Sequence, residues 1–124
     1  MAKISVIPLF KGKSLSAGDS GTSDLIDLRY IANNGLFSLS TKVAAGTSTT
    51  AGTTVFTYVG CSIDNGTFVA PSSAAAAGTA GTSIGRDIIS FSPELMPFMK
   101  IIATQTGAGT AGANSVIDAE LIVQ

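Results

Sequence analysis

The sequence predicts an all-β fold, an antiparallel β-sandwich with the jelly roll among its candidate topologies. Three observations lead there. Apolar residues recur with a period of two, turn signals interrupt the chain at short intervals, and no stretch sustains a helical period. Eight strand segments follow, at 3–9, 24–32, 35–43, 53–61, 66–70, 84–91, 98–105 and 115–123.

The segments justify themselves in order. The first, around Ile4, Val6 and Ile7, is apolar but broken by Ser5 and Pro8. In the second, Ile26, Leu28 and Tyr30 alternate with Asp27 and Arg29. Phe37, Leu39, Thr41 and Val43 then alternate with Ser38, Ser40 and Lys42. In the fourth, Phe56 and Tyr58 face away from Val55, Thr57 and Val59. The last is the clearest: Ile117, Ala119, Leu121 and Val123 alternate with Asp118, Glu120 and Gln124. β-branched residues fill these runs, as a pleated, half-buried surface prefers.

Turns separate them. Asn33-Asn34-Gly35 and Asp64-Asn65-Gly66 supply residues that tolerate positive φ. Ser92-Pro93-Glu94-Leu95 reads as one helical turn, with serine as cap and proline at the first position.

Alanine, glycine, serine and threonine make up roughly half of the chain. Most fall in three tracts, 44–54, 71–83 and 106–115, which lack the bulk to pack and read as long loops. The length of 124 residues fits one domain, 1–124, with 1–23 as a candidate N-terminal arm.

Composition bounds the chemistry. Histidine is absent, which removes the commonest general base and metal ligand. The single cysteine, Cys61, lies in an apolar run and reads as a small buried hydrophobe. Catalytic, cofactor-binding and metal-ligating residues are all read as none. Asp118 and Glu120 share a strand face but read as the polar side of an amphipathic strand. Asp24 and Asp27 point to opposite faces, and Asp64-Asn65-Gly66 lacks the further acids of a calcium loop. Gly107-Ala108-Gly109-Thr110-Ala111-Gly112 matches a dinucleotide fingerprint in form, but an alternating strand follows where that motif needs a helix. The chain is therefore expected to be no enzyme.

The net charge of -1 gives no electrostatic reason to hold nucleic acid. No window approaches a membrane span, and the amino terminus lacks a secretory pattern, so synthesis in the cytoplasm without export by the general route is expected. Charged residues are only 12% of the chain, against about 25% in ordinary soluble domains. Such a surface is most easily explained if neighbouring subunits cover much of it. Lys3, Lys11 and Lys13 near the start would then suit an acidic neighbour, against the plainer role of solubilising charge.

Two stretches carry a resemblance. Asp27-Leu28-Arg29-Tyr30-Ile31-Ala32-Asn33-Asn34-Gly35-Leu36-Phe37-Ser38-Leu39 is one. Phe91-Ser92-Pro93-Glu94-Leu95-Met96-Pro97-Phe98-Met99-Lys100-Ile101, leading into Ile117-Asp118-Ala119-Glu120-Leu121, is the other. Together they resemble small proteins encoded among the head genes of tailed bacteriophages. The resemblance implies a virion protein on the capsid exterior, of the cement or decoration kind. Its partners would be the major capsid protein and its own copies, as a dimer or trimer. A tail, neck or fibre component and a self-assembling coat subunit are structural alternatives. A carbohydrate-binding sandwich for host attachment is an alternative of another class. It is disfavoured because tryptophan is absent and both tyrosines, Tyr30 and Tyr58, lie inside strand segments.

Overall fold

The computed structural model of the protein describes residues 4–16, 18–29, 36–45, 54–63, 65–70, 79–80, 85–93, 96–105 and 114–124. These form nine strands: β1 (Ser5–Ser16), β2 (Ser20–Thr22), β3 (Ile26–Asp27), β4 (Phe37–Ala45), β5 (Thr54–Cys61), β6 (Thr79–Ala80), β7 (Gly85–Phe91), β8 (Phe98–Gln105) and β9 (Asn114–Val123). All pairings are antiparallel. One sheet has the order β1-β9-β4-β7, and the other has the order β2-β8-β5-β6 with β3 also on β8.

β2 and β3 both pair with β8 and behave as one interrupted strand. Counted so, eight strands form two sheets in which first and last, then second and second-last, lie side by side. That nesting is the jelly roll, the double Greek key of two facing sheets. The fold is thus the expected antiparallel sandwich, and its topology is the jelly-roll option.

The predicted alternation places the core. From the first sheet come Phe10, Leu15, Phe37, Leu39, Val43, Ile117, Ala119, Leu121 and Val123. Phe56, Tyr58, Met99, Ile101 and Ala103 meet them from the second. Tyr58 and Phe37 both pack against Phe91, each with ring centroids 5.8 Å apart. At the other end the core turns polar: Thr54, Gln105 and Ser115 are fully buried, and Gln105 Nε2 donates to Ser115 Oγ at 3.3 Å.

Three segments depart from their expected bounds. The first strand runs on to Ser16, through much of the stretch marked as a candidate arm. It is an edge strand, so Lys11 and Lys13 reach water, and two bulges absorb its irregular middle. The expected 24–32 strand pairs only at Ile26–Asp27. One extra residue enters between Thr22, opposite Ile102, and Ile26, opposite Met99. There the Ser23 hydroxyl takes the carbonyl's place and accepts the Ile101 N–H at 2.9 Å. The expected 66–70 strand reduces to one bridge, Val69 with Gly60.

Asn65 has a φ of 60°, and the Gly66 N–H donates to the Ile63 carbonyl at 3.1 Å, which closes the predicted turn there. The Asn33-Asn34-Gly35 turn, the Glu94-Leu95 half of the helical turn and most of the three tracts lie outside the described residues.

Candidate interaction surfaces

A filled sandwich offers its two outer sheet faces and its two ends. The outward positions of the β1-β9-β4-β7 sheet carry Lys42, Arg86, Asp118 and Glu120, with Ser38, Ser40 and Ser90 beside them. Lys42 stands directly between Asp118 and Arg86 across the strands. A shallow depression of about 420 Å³ lies here, with Lys11, Lys42, Arg86, Asp118 and Glu120 on its walls.

Asp118 has a local task. Its Oδ1 accepts the Gly12 N–H at 2.6 Å, and Gly12 sits at a φ of 64° in the irregular part of β1. The carboxylate thereby satisfies an amide that the bulged ladder leaves over. Glu120 projects from the same face as expected, opposite Pro8 and Ser40.

The β2-β8-β5-β6 sheet presents a different outer face. Ile102 and Thr104 of β8 stand beside Val55, Thr57 and Val59 of β5, all half-buried. Thr22 and Ser20 extend the rows, and the Ser20 and Thr104 hydroxyls lie 3.0 Å apart. Lys100 is the lone cation among them, and its Nζ lies 4.4 Å from the centroid of the Phe68 ring. Phe68 arrives from the 65–70 segment, whose Val69 exchanges both backbone hydrogen bonds with Gly60.

At one end of this face sits a second, smaller cluster. Cys61 and Phe98 are opposite one another in register and buried, but stand apart from the main core. The Cys61 thiol donates to the Ile63 carbonyl at 3.1 Å. Arg29 covers Phe98, with its guanidinium carbon 4.7 Å from the ring centroid. The same guanidinium grips Asp27 through two hydrogen bonds, Nε to Oδ1 at 3.0 Å and Nη2 to Oδ2 at 2.8 Å.

Those side-chain bonds hold the Asp27 carboxyl below the ordinary carboxylate range; desolvation opposes them, and the Arg29 N–H and the guanidinium charge add to the lowering. A carboxyl with a depressed folded pKa stabilises the fold above its unfolded value of 3.8. That contribution is lost as pH falls through the folded value. In a carbon-detected NMR titration, Arg29→Gln should move the Asp27 midpoint upward toward ordinary aspartates. An unmoved midpoint would show that Arg29 does not set it.

Asp24 and Asp27 do not converge: Asp27 is engaged with Arg29, and Asp24 lies exposed between β2 and β3. Among the described residues no group of three or more His, Cys, Asp or Glu is placed to hold a metal ion. Tyr58 is a core residue, while Lys3, Tyr30, Asp64, Glu94 and the 107–112 glycine run lie outside the described residues. The pairing of Lys100 with Phe68 has no local sequence signal. Strand parity alone marks Lys100 as an isolated charge among outward-facing β-branched residues.

One end gathers most of the tract flanks. Ala45 lies opposite Ser115, Thr54 opposite both Gln105 and Ala80, and Gly85 opposite Val43. The β4–β5 and β8–β9 connections, each drawn from one tract, and the β6–β7 connection, which takes only the last residues of the 71–83 tract, therefore all leave the sandwich there. The leading flank of that third tract follows Val69, whose bridge to Gly60 lies toward the opposite end of β5.

The fold and its surfaces define an antiparallel jelly-roll sandwich. No protein-family model matches the chain, and no curated protein matches it.

Proposed function

We propose that this chain is a structural protein of a bacteriophage virion, a cement or decoration protein that binds the outer capsid lattice. The observation that supports it most directly is the strand order. Jelly rolls serve repeatedly as the subunits of viral shells, and also as lectins and cupins. Fold alone carries no function, so the surface must point the same way.

Two surface features do. Charge is sparse, as suits a domain covered by neighbours. The flanks of the 44–54 and 106–115 tracts and the trailing flank of the 71–83 tract meet at one end of the sandwich, where arms would reach adjacent subunits together. Many copies on a lattice convert weak individual contacts into firm association where subunits are linked.

The test is copy number in purified, DNA-filled particles, by quantitative mass spectrometry against the major capsid protein. A ratio near one, or a simple fraction of the lattice, is expected. A handful of copies would move the chain to the neck or tail, and absence would overturn the virion reading.

A further inference from the structure

We propose that Asp87 guards the free edge of β7 against strand addition by a second copy of this chain. The proposal is independent of the virion role and concerns how the sandwich stays unpaired along its longest unbulged edge strand.

A sheet edge presents unpaired N–H and C=O groups that template pairing with another chain. The other edge strands are blunted in familiar ways. The second sheet ends in strands of three, two and two residues. β1 is long, but it carries two bulges, the exposed Lys11 and Lys13, and Pro8, which has no N–H to offer. β7 has none of these devices. Its seven residues, Gly85–Phe91, pair with β4 without a bulge. Among the described residues no strand pairs with its other side.

The ladder shows which amides face that edge. Leu36 exchanges both backbone hydrogen bonds with Gln124, so the even-numbered residues of β4 bond to β9 and the odd-numbered ones to β7. On β7 the partners of those odd residues, Asp87, Ile89 and Phe91, therefore bond to β4. Arg86, Ile88 and Ser90 turn their N–H groups outward. Ile88 is the middle residue of the strand and is 72% exposed. Its N–H is already taken, donating to Asp87 Oδ1 at 2.8 Å. Asp87 shares the inward parity of Ile89 and Phe91, which pack against the core, and it is half-buried. An inward-pointing charge on an edge strand is one of the ways sheets resist pairing.

The occupant to be kept out is a second β7. Two such strands match about Ile88: Ile88 would face its own copy and Arg86 would face Ser90, so every outward amide would meet a carbonyl. Each Ile88 N–H would have to leave its Asp87 to do so. Both carboxylates would then lose a donor at a seam that excludes water, which weakens association by about tenfold or more.

Sedimentation equilibrium and amide exchange test this. Asp87→Val removes the acceptor and keeps a strand-forming side chain, so it should associate at least about tenfold more tightly than the parent. Adding Ser90→Pro removes one outward N–H and leaves the apolar Ile88 side chain in place. It should return association to the parental level. In the parent itself, the Ile88 amide should exchange several-fold more slowly than those of Arg86 and Ser90, a reading that needs no variant to fold. Equal exchange at the three amides, no gain in association for Asp87→Val, or a gain that survives Ser90→Pro would overturn the proposal.

Discussion

Replacing Phe56 with alanine should cost about 4 kcal/mol, a large share of the 5–15 kcal/mol that holds a typical domain. Phe56 is fully buried, stands opposite Ala103 on β8 and reaches into the core between the sheets. Its cross-strand neighbour is the small Ala103, so truncation leaves a cavity in the core. Thermal unfolding should move down by about 15 °C on the scaling for a chain of this length. Val55, one residue earlier and half-buried on the outer face, is the comparison. Its alanine variant should lose about 1 kcal/mol or less. Equal losses at the two sites in urea titrations would show that the sheet packs through its other face.

The second large effect is expected at Gly66. A Cβ there would lie 2.5 Å from Cys61 Sγ, 2.6 Å from Ile63 Cγ1 and 3.1 Å from the Ile63 carbonyl oxygen. That oxygen accepts both the Gly66 N–H and the Cys61 thiol, so it cannot retreat without opening the turn. Gly66→Ala should therefore cost about 2–3 kcal/mol through overpacking. Combining it with Cys61→Ala removes the nearest obstacle and should recover part of the loss, a non-additivity that a double-mutant cycle reads directly. A Gly66→Ala variant as stable as the parent would mean that the segment from Ser62 to Val69 shifts freely. Phe68 would then be no fixed partner for Lys100.

Much of the fold is legible in the residues alone. In β9 the strict alternation of Ile117, Ala119, Leu121 and Val123 with polar neighbours marks both the strand and its buried face, and all four are core residues. The same parity holds for Ile26 and Leu28 inward against Asp27 and Arg29 outward, although only two of those residues pair. Side-chain direction along an extended chain is a local property and survives even where the ladder breaks.

Pairing is not local. β1 lies against β9, with paired residues 98 to 118 positions apart in sequence, and the jelly-roll order follows from such pairings. No residue of Ser5–Ser16 announces its partner, and the apolar run that marks the expected strand stops at residue 9, before Lys11-Gly12-Lys13. It remains strand because an edge position leaves those lysines in water and Asp118 supplies the acceptor that the bulge needs. Ser23 is similar: a hydroxyl that stands in for a carbonyl is visible only once β8 lies beside it.

The surfaces divide in the same way. Composition alone shows that charge is scarce. Only the packing of the two sheets decides that it is scarce on one face and concentrated on the other, because parity assigns a residue to a face and tertiary structure assigns that face to a side of the molecule. The sequence by itself determined the strand class, the buried face of each strand and the shortage of charge, since each is written in neighbouring residues. The jelly-roll order, the gathering of most tract flanks at one end and the meeting of Lys100 with Phe68 were decided by contacts between distant segments, which form only when the two sheets close on a shared core.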